Sequence, residues 1–139
     1  MKTYLNLTIW HRSADLFADL HQALNHHSLY KDRYLRDQIL RAALSVALNI
    51  SEGNGRGSNK EFKRFLRISR GSLDEVHAAL HIARRIYPDL NINEDHFAQI
   101  DQIKRSVNAL IGKLSDVTKK SDKPLVAASP NIPPGATHS

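Results

Sequence analysis

The sequence predicts an all-α protein, an antiparallel up-and-down four-helix bundle followed by a flexible C-terminal tail. Three observations carry that expectation. From Trp10 to Leu114 apolar residues recur at intervals of three and four, the period of one helix face. No segment alternates with the period of two that a half-buried strand requires. Breakers at His26-His27-Ser28, at Gly53, Gly55 and Gly57, and at Pro88 divide the run into four.

The first helix is expected over about 7–27, on the stripe Trp10, Ser13, Ala14, Phe17, Leu20 and Leu24. The second covers about 32–52, on Leu35, Ile39, Ala42, Ala43, Val46 and Ile50. Gly53, Gly55 and Gly57 are expected to end it, glycine being the residue that accepts positive φ past a helix end. Ser58 followed by Glu61 reads as a reciprocal capping box ahead of Phe62. The third helix then runs along Phe62, Phe65, Leu66, Leu73, Val76, Leu80, Ala83 and Tyr87, with Pro88 as its stop. At about 1.5 Å per residue, 59–87 spans roughly 43 Å. Asn91 or Asn93 caps a fourth helix with the stripe Ile100, Ile103, Val107, Leu110, Ile111 and Leu114, fading near Lys119-Lys120. Residues 1–119 thus form the bundle domain. Residues 120–139 carry Pro124, Pro130, Pro133, Pro134 and Gly135 among small polar residues, and read as a disordered tail.

Composition narrows the class. A chain of 139 residues has room for one domain. Hydrophobic residues at 41% and charged residues at 24% exclude wholesale disorder. No stretch approaches the roughly 18 apolar residues of a bilayer span, and Met1 to Asn6 lack the apolar run of a signal peptide. With no cysteine, disulfide scaffolds, thiolate zinc sites and cysteine nucleophiles are excluded. The cytoplasm is the simplest compartment for such a chain.

The second helix is apolar on two sides. Opposite its main stripe lie Leu40, Leu44, Ala47 and Leu48, with only Gln38, Arg41, Ser45 and Asn49 as a narrow polar strip. A helix apolar nearly all round must be covered on both sides. The second cover is expected from another protomer in a closed homo-oligomer.

Charge points to polyanions. Twenty Lys and Arg against fourteen Asp and Glu give +6, and the pI is 9.8. Arg56, Lys60, Lys63, Arg64, Arg67 and Arg70 lie close together, opposed only by Glu61, and Arg85 continues their face. On a helical wheel positions 60, 63, 64, 67 and 70 fall within about 120° of arc. Such a face can track a phosphate backbone, or it can be a solvated surface that aids solubility. No aromatic residue is interleaved among these cations, so binding is expected to be backbone-led, salt-sensitive and weakly sequence-specific.

Other chemistry finds little support. The turn from Gly53 to Lys60 follows a helix rather than a strand and lacks phosphate-loop spacing. Free amides at the start of the third helix, near Arg56 and Lys60, remain a candidate phosphate contact. His77 and His81, two of eight histidines, share a face at i,i+4, but no third metal ligand is assignable. The Arg70–His77 spacing of some all-helical ribonucleases arises too readily by chance to carry weight. No nucleophile, base and orienting group assemble. The expectation is a non-enzyme without metal, cofactor or small-molecule substrate.

The central block has a familiar pattern. Gln38-Ile39, Arg41-Ala42-Ala43, Ser45-Val46, Asn49-Ile50-Ser51-Glu52-Gly53, Gly55-Arg56, Ser58, Glu61-Phe62, Phe65-Leu66 and Gly71-Ser72-Leu73, with Leu7 and Trp10 upstream, carry it. This pattern resembles the four-helix-bundle proteins known as 23S rRNA intervening-sequence proteins, over about 7–118. The same fold family includes Avd, the accessory variability determinant of diversity-generating retroelements. The resemblance implies a barrel-shaped homopentamer and a non-catalytic accessory role, with RNA or DNA and a reverse transcriptase as partners. Arg56 lies within the family motif; most of the other cations belong to this chain. Leu40 stands where many members have a basic residue and Ala47 where many have proline, a change expected to leave the second helix straighter. Two alternatives stay open: a ribosomal-RNA context, and a protein-interaction scaffold that binds no nucleic acid.

Overall fold

The computed structural model describes residues 3–25 and 28–121. The described residues form four helices, α1 (Thr8–Asn25), α2 (Arg33–Gly55), α3 (Asn59–Ile86) and α4 (Glu94–Ser121), and no strand. Short 3-10 turns at Tyr4–Asn6 and Ser28–Lys31 precede α1 and α2. The expected tail, 120–139, lies outside the described residues from position 122 on, and its first two positions belong to α4.

Side-chain caps set the starts of the helices. Asp32 accepts from the Leu35 amide (3.2 Å) and starts α2. Ser58 accepts from the Glu61 amide (3.2 Å) and starts α3. The other half of the expected box differs, because the Glu61 carboxylate binds Arg64 rather than reaching back to Ser58. At α4, Asn93 accepts from the Asp95 amide (2.9 Å), and His96 Nδ1 accepts from the Asn93 amide (3.2 Å). A histidine thus completes the box that glutamate usually completes.

Helices adjacent in sequence pack side by side, and α4 returns against α1, so each helix has two neighbours. The pairings fix their directions. Ser45 bonds Ser72 while Val46 accepts from Ser69, so α2 and α3 run antiparallel. Across α3 and α4, Arg70 meets Asn108, Asp74 meets Lys104 and Arg84 meets Glu94, again antiparallel. The core between the helices is filled by Leu16, Leu20, Leu24, Ile39, Val46, Ile50, Leu66, Leu73, Leu80, Ile100, Ile103 and Val107.

Two expectations change. First, α2 does not stop at Gly53. It continues to Gly55, and only Gly57 takes a positive φ (86°). Gly53 is buried where α2 presses on α3; a Cβ there would lie 2.6 Å from Phe65 Cβ. Second, the outer side of α2 is narrower than its wheel suggests. Leu40 and Ala47 are buried within the protomer, because α2 is flanked by both α1 and α3. Leu44 and Leu48 stay 40% and 55% exposed, and Ile68 of α3 is exposed as well. On α1 the buried line runs through Ile9, Leu16 and Leu20, leaving Trp10 and Phe17 half-buried at its edge.

Candidate nucleic-acid interface

The long amphipathic helix α3 presents its basic residues on the side away from Leu66, Leu73 and Leu80. The seven cations singled out in the sequence separate into three groups there. Arg56 pairs with Glu52 (3.1 Å), and its guanidinium lies over the Phe65 ring, 5.0 Å from the centroid. Arg64 pairs with Glu61 (2.8 Å) and covers the same ring at 4.5 Å. The hydrogen bond from Arg64 holds the Glu61 carboxyl below the usual carboxylate range; burial opposes it, and the charges of Arg64, Arg56 and Lys60 add to the lowering. In return Glu61 raises the Arg64 guanidinium. Arg56 and Arg64 are therefore each engaged by an acid, and much of their charge is spent locally.

Arg70 is half-buried and donates to Asn108 of α4 (2.8 Å). It braces the α3–α4 seam.

Lys60, Lys63, Arg67 and Arg85 form the third group, with no ion pair among the described residues. Lys60, Lys63 and Arg67 fall within about 60° of arc on the first two turns of α3. Arg85 is separated from them: 25 residues after Lys60 is roughly 38 Å along a helix. Asp74, bonded to Lys104 at 2.6 Å, interrupts the face between them. The expected continuous face is therefore one compact cluster at the start of α3 and a distant cation at its end.

The phosphate cradle at the start of α3 is partly used. Ser58 takes the Glu61 amide, and the Ser58 carbonyl takes that of Phe62. His77 and His81 stack on each other (4.9 Å) and on the buried Phe97 ring (5.0 and 4.4 Å), which Arg84 covers from 4.7 Å. Their spacing serves packing at the α3–α4 seam. No group of three or more metal-ligating side chains occurs among the described residues. No helix among them is long and apolar enough to cross a membrane.

The sequence missed a second concentration of polar contacts. Tyr87 donates to Asp32 (2.8 Å), pinning the end of α3 to the start of α2, and that bond raises the Tyr87 phenol above its ordinary range. Fifty-five positions separate the two residues, so no local pattern announces the contact.

No curated protein matches the chain. The model of the family described as 23S rRNA-intervening sequence protein matches residues 5–113, a span running from the turn before α1 well into α4, and the chain belongs to that family.

Proposed function

We propose that this protein is a non-catalytic, oligomeric accessory protein that grips the phosphate backbone of RNA or DNA through the start of α3. The observation that carries the proposal is the cluster Lys60, Lys63 and Arg67, which projects from two helical turns with no acid bonded to it among the described residues. Unpaired cations at that spacing release counterions when they meet phosphates, the main source of sequence-independent affinity. Assembly multiplies the effect: Leu44, Leu48 and Ile68 make an exposed apolar strip on the α2–α3 side for a second copy to cover. A homopentamer would carry five such clusters and gain avidity from them.

The resemblance to Avd adds a partner, a reverse transcriptase working within a ribonucleoprotein, with the cytoplasm as the place of action. The family's description favours a second context, ribosomal RNA. Both readings use the same basic cluster.

The test replaces Lys60, Lys63 and Arg67 together by glutamine and measures binding to unrelated RNA and DNA. Retention should drop, and the salt slope should fall by roughly 2–3, since each neutralised phosphate contributes about 0.7–0.9. A companion Arg56→Gln/Arg64→Gln variant should lose less, because those charges are already engaged. Unchanged affinity in the triple variant would leave the scaffold reading in possession. Tighter binding to 23S rRNA segments than to unrelated RNA would select the ribosomal context.

A further inference from the structure

We propose that the α2-start/α3-end corner is a stacking site for unpaired bases of a single-stranded nucleic acid, a refinement that rests on the polyanion-binding function above. The Tyr87–Asp32 bond brings two sequence-distant segments to one corner. Within two residues of Asp32 lie Tyr30, Lys31, Arg33 and Tyr34; within two of Tyr87 lie Arg85 and a single acid, Asp89.

The tyrosines are unusually bare. Tyr30 is 58% exposed and Tyr34 78% exposed, and Ile82 and Ile86 are exposed on the same end of α3. Tyr34 stands on the first turn of α2, a rigid element, and Tyr30 is steadied by the Arg36 guanidinium 5.4 Å from its ring centroid. An exposed, positioned phenol offers a flat face that every base can use.

Charge selects the occupant. Several nearby acids are engaged: Asp32 with the Leu35 amide and Tyr87, Asp37 with Arg36 (3.7 Å), Glu94 with Arg84 (3.3 Å). Lys31, Arg33 and Arg85 are exposed and have no ion pair among the described residues. A single strand supplies phosphates for the cations and bases for the rings. Aromatic interleaving, absent from the α3 cluster, is present here, where Tyr30 and Tyr34 flank Lys31 and Arg33.

The test compares a fifteen-nucleotide oligothymidylate with an abasic strand of equal length, at one salt concentration. The wild-type chain should bind the thymidylate tighter by roughly thirtyfold, two stacked bases at the weak end of stacking strength. Tyr30→Ala/Tyr34→Ala should remove that preference and leave abasic binding and the thermal melt unchanged; Tyr30→Phe/Tyr34→Phe should restore it. Three results would each overturn the site: no wild-type preference, equal loss on both strands, or a drop in oligomer mass with thymidylate binding intact. If neither strand binds at all, the phosphate-gripping function fails with it; equal binding to both strands sinks only the stacking site.

Discussion

Gly53 and Gly71 are both helical glycines, and replacing each by alanine should move stability in opposite directions. At Gly53 a methyl group would sit 2.6 Å from Phe65 Cβ and 3.1 Å from Phe62 Cδ1. Ordinary carbon contact needs about 3.5–4.0 Å, so α2 and α3 must separate by about 1 Å. Phe65 Cβ is anchored to the α3 backbone and cannot swing aside. Overpacking of this kind costs about 1–3 kcal/mol, against which the better helix propensity of alanine returns about 1 kcal/mol. A net loss of up to about 2 kcal/mol follows, each kcal/mol worth roughly 3–4 °C in Tm for a chain of this size. At Gly71 nothing lies within 4 Å, so the propensity gain stands alone, up to about 1 kcal/mol of added stability. Urea midpoints of both variants and the wild type, at one protein concentration because oligomers shift with it, decide the matter. A Gly53→Ala protein at least as stable as Gly71→Ala would refute the close approach of α2 and α3.

Ser58→Ala removes the α3 cap and should cost about 1 kcal/mol in urea unfolding, because the Glu61 amide loses its acceptor. Tyr87 has a folded pKa raised by its bond to Asp32, so its contribution is complete below the unfolded value near 10 and is lost as pH rises through the folded one. Tyr87→Phe should therefore be less stable than wild type at pH 8, with the gap closing above pH 10. A gap that stays constant would contradict that linkage. If Leu48 lies in the proposed protomer contact, Leu48→Glu should lower the mass seen by light scattering, whereas Leu40→Ala, at a residue buried in the protomer, should lower stability first.

Much of the fold was legible because its signals are local. Ser58, Pro88 and Asn93 mark helix ends through their own side-chain and ring chemistry, and the stripes on α3 and α4 point at one core. Reading failed where the answer depends on a neighbouring helix. Gly53 looked like a terminator because glycine commonly is one; its actual use is to let Phe65 approach. Leu40 and Ala47 looked outward because a wheel assigns one core direction, whereas α2 is covered from two sides. Of the seven cations, sequence spacing identified the compact Lys60–Lys63–Arg67 cluster. It could not show that Glu52 and Glu61 occupy Arg56 and Arg64, or that Asp74 and Lys104 interrupt the path to Arg85. The Tyr30–Tyr34 segment stands in the sequence itself; what the sequence did not show is that Tyr87 brings the end of α3 to it.

The most direct measurement is a salt titration of the wild-type chain with RNA and DNA of unrelated sequence. Backbone-led binding through exposed lysines and arginines should weaken steeply from low to moderate salt, on a straight line in log–log form. Affinity that is absent at micromolar protein, or indifferent to salt, would contradict it.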